Sequence, residues 1–278
     1  MSKRPVDTVL ITGCSSGIGY VTAKGLQARG YRVFATARKP EDVERLKQEG
    51  FEAVRLDLDD PTSIENAVEQ VLSMTGGTLD ALFNNGAWGQ VGAVEDLSRD
   101  VLRAQFETNL FGTQELTNRI LPVMRRQGHG RILYNSSVLG FIALPYRGAY
   151  VASKFALEGL ADCLRLELHG TGIHVVLIEP GPILTRFREN AYRKFKENID
   201  AEHSPHREVY EKMERKLATE GPAVPFTLPP EAVLQKVIHA LEAPRPKIRY
   251  YVTVPTYLFA FLRRVLPFRM LDWIERKV

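Results

Sequence analysis

The chain has 278 residues, 44% of them hydrophobic and 25% charged, with a formal net charge of +4. The composition is that of an ordinary globular protein with a full core, and its charge balance argues against a nucleic-acid partner. Two cysteines give no disulfide framework, which is typical of a reducing compartment. The first seven residues lack the apolar stretch of a signal peptide, so the sequence predicts a cytoplasmic protein.

Short apolar runs alternate with helix-length segments, and no linker or repeat divides the chain. This rhythm predicts one α/β domain over residues 1–278, a Rossmann-type doubly wound parallel sheet of seven strands with helices on both faces. The predicted strands are Val6–Thr12, Tyr31–Thr36, Glu52–Leu56, Asp80–Phe83, Arg131–Asn135, His174–Glu179 and Ile248–Thr253. The predicted helices include Ile18–Arg29, Thr62–Ser73, Val101–Gln127 and Tyr150–His169. Pro122 predicts a break or kink in the third of these helices.

A glycine-rich loop, Thr12-Gly-Cys-Ser-Ser-Gly17-Ile-Gly19, follows the first predicted strand and opens the first helix. Glycines let the backbone turn sharply and approach a pyrophosphate, whose charge the helix N-terminus offsets. A lone glycine-rich stretch is weak evidence, but this position favours a dinucleotide-binding loop over a merely tight turn. The predicted cofactor contacts of the loop are Gly13, Ser15, Ser16, Gly17, Ile18 and Gly19.

The end of the second strand predicts which dinucleotide binds. An acid there would hydrogen-bond the ribose 2′-hydroxyl of NAD, but this chain has Arg38 and Lys39. A guanidinium suits a 2′-phosphate, so the sequence favours NADP(H) over NAD(H). The alternative is that both residues are merely solvated charges at the start of a helix.

Ser137, Tyr150 and Lys154 carry the predicted chemistry. Tyr150 and Lys154 stand at positions i and i+4 of a predicted helix, on one face, and Ser137 ends an apolar run thirteen residues before Tyr150. A lysine there stabilises the phenolate. Tyr150 then becomes a usable acid at neutral pH, which an ordinary tyrosine pKa of about 10 would prevent.

These features together resemble the short-chain dehydrogenase/reductase family in its single-domain form, near bacterial NADP-dependent aldehyde reductases and retinol and 17β-hydroxysteroid dehydrogenase-like members. Asn84-Asn85-Gly86-Ala87 resembles the family's NNAG motif with the last two residues exchanged. Asn109 matches the asparagine that completes the family's tetrad with Ser137, Tyr150 and Lys154. The cofactor contacts that the resemblance adds are Asp57, Leu58, Asn85, Gly86, Tyr150, Lys154, Pro180, Gly181, Ile183 and Thr185.

The resemblance implies hydride transfer between NADP(H) and a carbonyl carbon. Tyr150 would protonate the developing alkoxide and Ser137 would hydrogen-bond its oxygen. Lys154 would lower the tyrosine pKa and hold the nicotinamide ribose, while Asn109 would anchor a water beside Lys154. A non-catalytic NADPH-sensing regulator of the same fold is the rival class, but such proteins typically lose the tyrosine or the lysine. We assign no metal ligand.

Apolar and aromatic residues predict the substrate pocket. Trp88, Tyr146 and Phe187 are candidate substrate contacts together with Ser137, and Arg147 is the one candidate for gripping an anion. The further apolar candidates between Ser137 and Tyr150 are Phe141, Ile142 and Leu144. Such a pocket favours reduction of lipophilic medium- to long-chain or isoprenoid aldehydes, with steroid or retinoid exchange as the alternative. Core or subunit contacts would explain the same aromatic residues.

Two C-terminal segments depart from the alternating rhythm. Residues 186–221 are charged yet keep apolar residues at helical spacing, which fits either a helical insertion over the site or a solvated insertion without function. Residues 250–278 form an aromatic and basic tail that is interrupted too early to span a membrane. The tail fits either peripheral membrane contact or packing against the protein's own pocket or a partner subunit. We expect a homo-oligomer by family resemblance.

Overall fold

A computed structural model describes residues 6–219, 221–222 and 224–277. The strands are β1 Thr8–Ile11, β2 Arg32–Ala37, β3 Glu52–Arg55, β4 Ala81–Asn84, β5 Gly130–Asn135, β6 Ile173–Glu179 and β7 Arg249–Tyr251. The helices are α1 Gly17–Ala28, α2 Pro40–Gln48, α3 Pro61–Thr75, α4 Arg99–Phe106, α5 Thr113–Gln127, α6 Gly148–Glu167, α7 Phe187–Asn198, α8 Arg207–Ala218, α9 Glu231–Glu242, α10 Val254–Val265 and α11 Phe268–Glu275.

The seven strands form one parallel sheet in the order β3-β2-β1-β4-β5-β6-β7. The predicted fold class is therefore confirmed. From β1 the next strands in the chain are added on one side, and from β4 onward they are added on the other. The connections that leave β1 and β4 therefore diverge, and a crevice opens between them at the carboxyl edge of the sheet. Every strand points to that edge, which gathers the segments that follow β1, β4, β5 and β6.

Each face of the sheet is covered by its own core. On one face, α1, α2 and α9 bury residues such as Leu26, Leu46 and Val237. On the other, α3, α5 and α6 bury residues such as Ile64 and Ile120. Both faces of the strands are thus dry, which explains why the strands read as near-continuous apolar runs instead of alternating ones.

The long helix predicted from Val101 to Gln127 is interrupted, but not at Pro122. A turn of π-helix, Glu107–Gly112, separates α4 from α5, and Pro122 lies inside the uninterrupted helix α5. The predicted position of the break was therefore wrong. A π turn places one extra residue in the helix, and it changes the direction of the side chains within it, Asn109 among them.

The two atypical C-terminal segments each form a pair of helices. In the first pair, α7 and α8 bury Phe195, Tyr210 and Met213 in a separate apolar cluster. In the second, α10 and α11 pack Phe259 and Leu271 inward. Within the described part of the chain, every helix is too short or too polar to cross a membrane.

Candidate active site

The loops after β1 and β4 meet across the crevice of the sheet. The Asn85 side-chain amide donates to the carbonyl oxygens of Thr12 (2.8 Å) and Gly13 (3.3 Å). In return, the Thr12 hydroxyl accepts from the backbone N–H groups of Asn85 (2.8 Å) and Gly86 (2.7 Å). The side chains of Asn85 and Thr12 therefore fix the backbone of the glycine-rich loop to that of the NNGA segment.

The backbone of the glycine-rich loop is closely packed. Gly13 has φ +72°, a left-handed conformation that side chains disfavour. A Cβ at Gly19 would lie 2.3 Å from the Gly13 carbonyl oxygen, so only glycine fits there. Ser16 precedes α1, and among the described residues its side chain caps no N–H of that helix. The first N–H groups of α1 thus remain available to an anion, and this cradle fits a dinucleotide pyrophosphate.

Arg38 and Lys39 follow β2 at the rim of the crevice. Both side chains are exposed, and the Lys39 ammonium lies 3.7 Å from Glu41. Asp57 and Leu58 follow β3 beside them, and Leu58 is buried against the position of Gly86. The rim thus carries two cations, Arg38 and Lys39, together with the carboxylates of Glu41 and Asp57.

Ser137, Tyr150 and Lys154 are brought together at the carboxyl end of β5. The Lys154 Nζ donates to the carbonyl oxygen of Asn135 (2.7 Å) and lies 5.7 Å from the centroid of the Tyr150 ring. The Asn135 side chain donates to Asn85 (2.9 Å), which ties the lysine to the glycine-rich loop. All three predicted catalytic groups are buried, with Tyr150 9% and Lys154 2% exposed.

Burial shifts the pKa values of Tyr150 and Lys154 in opposite directions. Burial raises the pKa of Tyr150 to about 12, and the Ser137 hydroxyl opposes that shift. Burial lowers the pKa of Lys154 to about 8, against the opposing charge of Glu158. Desolvation of the buried phenol is the largest cause of the raised tyrosine pKa. Tyr150 therefore holds its proton at neutral pH, as a proton donor must. That Lys154 lowers the pKa of Tyr150 stays a prediction.

Asn109 supports the loop beside Tyr150. From the π turn, its Oδ1 accepts from the Trp88 N–H (3.1 Å), while its Nδ2 donates to the Trp88 carbonyl (2.9 Å) and to Ser153 (3.1 Å). These contacts fix the backbone at Trp88 and one side of α6. The predicted water link from Asn109 to Lys154 stays a prediction.

Of the three predicted aromatic substrate contacts, Phe187 is the one that packs on Tyr150. Its ring packs edge-on against Tyr150, with centroids 5.3 Å apart, and a Cβ at Gly89 would lie 2.6 Å from it. Trp88 is half-buried, and its indole N–H donates to Thr108 (3.0 Å). Phe187 thus forms an apolar wall directly above the phenol.

Tyr146 and Arg147 are engaged elsewhere. The Tyr146 ring contacts His206 and Tyr210, and its hydroxyl lies 3.3 Å from His206 Nδ1. Arg147 donates to the Tyr146 carbonyl (3.1 Å) and contacts Met213, and burial lowers its pKa. Both side chains fasten α8 to the loop before α6, so the structure does not place Arg147 as a grip for an anionic substrate.

The segment Pro180–Thr185 closes over the glycine-rich loop. The Pro180 carbonyl accepts from the Val138 N–H (2.8 Å), next to Ser137. Ile183 pairs with Leu228 in an isolated bridge, and Thr185 would lie 3.2 Å from a Cβ at Gly17. A Cβ at Gly181 would lie 2.1 Å from Thr253, so this turn also needs its glycine. The predicted cofactor residues after β6 therefore do lie at the crevice.

An ion network that the sequence analysis missed lies behind the catalytic helix. Glu158 accepts from Ser136 Oγ (2.6 Å) and pairs with Arg249 (2.6 Å). Arg249 also binds Asp162 (2.7 Å) and the fully buried Glu179. Burial raises the pKa of Glu179 to about 8, and the negative charge of Glu158 adds to that effect. Glu158 stands four residues after Lys154, a spacing that could have flagged it. Nothing in the sequence marks Arg249.

Residues 7–196 match the sequence family described as short chain dehydrogenase. The chain is 45% identical to an uncharacterized oxidoreductase, YbbO, of Escherichia coli, over 96% of this chain and 93% of that protein. It is 36% identical to human 17-beta-hydroxysteroid dehydrogenase type 1, over 88% and 77% of the two chains.

A further relative is the NADPH-dependent 3-dehydrocapnine reductase of Ornithobacterium rhinotracheale, which is 32% identical over 96% of this chain and 95% of that protein. Among solved structures, a variant of actinorhodin polyketide ketoreductase with NADPH superposes with a TM-score of 0.72 at 28% identity, over 91% and 97% of the two chains.

Proposed function

Because the chain belongs to the short-chain dehydrogenase family, and is thus an oxidoreductase that acts on CH–OH and carbonyl groups, we propose that it is an NADP(H)-dependent reductase of lipophilic medium- to long-chain or isoprenoid aldehydes. One observation carries the proposal: the protonated Tyr150 phenol stands beside Ser137 and beneath the apolar ring of Phe187. A carbonyl oxygen that reached the two hydroxyls would leave its hydrocarbon part against that ring.

We propose that residues 1–278 form a single NADP(H)-binding domain, with residues 186–221 as a helical cover of the substrate site. The bound nicotinamide would supply the hydride for the carbonyl carbon. Gly13 to Gly19 and Asn85 to Gly86 would hold the cofactor phosphates, Arg38 and Lys39 the 2′-phosphate, and Pro180 to Thr185 the nicotinamide end. The cationic side chains of Arg38 and Lys39 support NADP(H). Two relatives support it as well, since the 3-dehydrocapnine reductase is named as NADPH-dependent and the ketoreductase structure contains NADPH.

The catalytic work of the chain is proton transfer. Ser137 would donate a hydrogen bond to the carbonyl oxygen, where negative charge develops. The Tyr150 O–H bond breaks as that oxygen takes the proton, and the charge of Lys154 stabilises the phenolate left behind. With a pKa of about 8, Lys154 is mostly cationic at neutral pH. Asn109 would hold the loop at Trp88 in place.

The proposed chemistry is tested with Tyr150→Phe, which removes the proton donor but keeps the ring that packs on Phe187. NADPH oxidation over a panel of aliphatic aldehydes, retinal and 17-ketosteroids should fall at least about a hundredfold, while NADPH affinity stays unchanged. Tyr192→Phe, a half-buried tyrosine on α7, is the matched control. Undiminished turnover in Tyr150→Phe would refute the scheme.

The same panel separates the alternatives. Preference for 17-ketosteroids or retinal would favour the steroid or retinoid dehydrogenase, to which the 36% identity with the human 17-beta-hydroxysteroid dehydrogenase points. Tight NADPH binding without turnover of any carbonyl would favour the NADPH-sensing regulator. The aldehyde proposal requires the aliphatic aldehydes to have the highest kcat/KM.

The cofactor assignment is tested with Arg38→Asp. This change should weaken NADPH binding by about tenfold or more while leaving NADH binding unweakened, since an acid suits a free 2′-hydroxyl. Arg99→Asp makes the same charge change at another exposed arginine, at the start of α4, and should alter neither. An unchanged NADPH/NADH preference in Arg38→Asp would contradict the assignment.

We propose further that the protein is a homo-oligomer of the cytoplasm, peripheral to a membrane. The face formed by α5, α6 and the π turn supports self-association, because Phe111, Leu160 and Leu166 are exposed there at 52%, 41% and 66%. Leu160→Glu should lower the molar mass measured by light scattering. A mass that stays unchanged would remove this face as the interface.

A further inference from the structure

The outer face of helix α10 is apolar. Val254, Tyr257, Leu258, Phe261 and Val265 follow one another at helical spacing, and each is between 51% and 60% exposed. The spacing places all five on one side of the helix. A surface helix normally turns polar residues to solvent, so this stripe needs an explanation beyond the folding of the chain itself.

The apolar surface continues onto helix α11. Phe268 is 83% exposed, Trp273 57% and Met270 54%. The two helices are joined by a short turn at Pro267 and contact each other. We call the exposed apolar residues of the two helices, together with the cations beside them, the tail surface. Its apolar members are Val254, Tyr257, Leu258, Phe261, Val265, Phe268, Met270 and Trp273.

The opposite face of these helices is anchored to the protein. Phe259 and Leu271 are buried with Phe141 and Ile142, the residues that follow the catalytic serine loop. The Arg263 guanidinium also donates to the Phe141 carbonyl oxygen. The helices are therefore docked by their inner face, which satisfies the expectation that the tail packs on its own protein, and their outer face is left presented to the surroundings.

Basic side chains surround the exposed apolar residues. Between Val254 and Lys277 the sequence has five arginines and lysines against two acids, one of which, Glu275, is buried. Arg264, Arg269 and Lys277 are exposed and form no ion pair with any described residue. The Lys277 ammonium lies 3.5 Å from the centroid of the Trp273 ring, which places a cation directly beside an exposed indole.

We propose that the tail surface binds the anionic headgroup region of a lipid bilayer, with α10 and α11 lying in the plane of the interface. The inference rests on the peripheral location proposed above and names the surface and the lipid charge. Aromatic and aliphatic residues flanked by arginine and lysine are the composition of interfacial helices, which sink about 5–10 Å into the headgroup boundary. A second copy suits the surface less, because a two-fold contact would bring its unpaired cations together.

The test uses the full-length protein without cofactor, so that it does not depend on the proposed reaction. The chain is mixed with phosphatidylcholine vesicles that contain or lack phosphatidylglycerol, and the bound fraction is measured by flotation at low and high salt. We expect binding to the anionic vesicles and its loss with salt. Equal binding to both vesicles, or no binding to either, would overturn the proposal.

Two variants divide the surface into its parts. Arg264→Glu with Arg269→Glu should lower partition onto anionic vesicles by at least about tenfold, and Phe261→Ser with Phe268→Ser should do the same without changing the salt dependence. The matched controls are Arg99→Glu and Met74→Ser, at exposed positions away from the tail. Partition that is unchanged in both tail variants would contradict the proposal.

A spectroscopic measurement keeps the proposal testable even if a tail variant unfolds. The sequence has two tryptophans, Trp88 and Trp273. In a Trp88→Phe background, emission of Trp273 should shift to the blue on addition of anionic vesicles, because its exposed indole would leave water. An unshifted spectrum with a tail-dependent molar mass in light scattering would assign the surface to a second copy and refute the membrane contact.

Discussion

The two sides of the active site are held in different ways. The cofactor edge, meaning Thr12–Gly19 with Asn84–Ala87, is fixed largely by contacts to backbone atoms: Gly19 packs on the Gly13 carbonyl, and the Asn85 side chain donates to two carbonyl oxygens. The cover, meaning α7 and α8, is fixed by side chains, such as the Phe195 and Tyr210 rings with centroids 5.2 Å apart.

This difference teaches where the chain can vary. Backbone contacts need particular residue types, glycine above all, so the cofactor edge tolerates little substitution. Side-chain contacts can be repacked with other apolar residues of similar volume. The cover can therefore adapt to a substrate while the cofactor edge keeps its geometry.

The largest effect is expected at the cofactor edge. In Gly19→Ala the new Cβ would lie 2.3 Å from the Gly13 carbonyl, so the loop must shift, and NADPH affinity should fall by about a hundredfold. Alanine has a higher helix propensity than glycine, so a loss of NADPH affinity could not result from a weaker α1 helix. Titration calorimetry measures the affinity. Gly159→Ala, where a Cβ meets no described atom within 4 Å, is the control, and unchanged affinity in Gly19→Ala would contradict a backbone-fixed edge.

The cover should instead affect the substrate alone. Phe187→Ala removes the ring above Tyr150, and kcat/KM for a lipophilic aldehyde should fall by about tenfold or more because apolar contact is lost. NADPH affinity should stay the same. Met74→Ala, which truncates an apolar side chain that is equally exposed at 38%, should leave both values unchanged. Equal losses of substrate and cofactor binding in Phe187→Ala would mean that the two sides are not separable.

A polar anchor of the cover provides a smaller effect. The Tyr210 hydroxyl accepts from the Ala93 N–H (2.8 Å) and donates to Asp96. Tyr210→Phe leaves the buried Ala93 N–H without that acceptor, which should lower the free energy of unfolding by about 1–3 kcal/mol. Urea unfolding measures the loss, and limited proteolysis should cut sooner between Phe187 and Ala218. Tyr192→Phe is the control, since its hydroxyl lies 3.5 Å from Glu214. Equal stability of Tyr210→Phe and wild type would remove this anchor.

The smallest effect concerns the ion network behind α6. Glu158 raises the pKa of Lys154 against the effect of burial, so Glu158→Gln should let that pKa fall further below about 8. Lys154 would then lose its proton at lower pH. The alkaline limb of the pH profile of kcat should move to lower pH by up to about one unit. Asp162→Asn, which touches the same Arg249, is the control. An unmoved limb in Glu158→Gln would show that Lys154 does not set it.

The sheet and the placement of Tyr150 beside Lys154 were predictable because their signals are local. Apolar runs gave all seven strands within a few residues of their ends, and the i, i+4 spacing placed Tyr150 and Lys154 on one face of α6. The break near Asn109 was misplaced at Pro122, since a π turn has no sequence signal as strong as proline. The roles of Tyr146 and Arg147 were missed for another reason. Their partners, His206 and Met213, lie sixty or more residues later in the chain, and no local pattern links them.

The sequence by itself determined the fold, the position of the glycine-rich loop and the pairing of Tyr150 with Lys154, since these depend on periodicity and on residues near one another in the chain. Only the tertiary structure decided the rest. It showed that burial raises the pKa of Tyr150, that Phe187 covers the phenol, and that the tail buries one apolar face while exposing another. Desolvation and long-range packing depend on which distant segments meet, and a linear pattern does not contain that information.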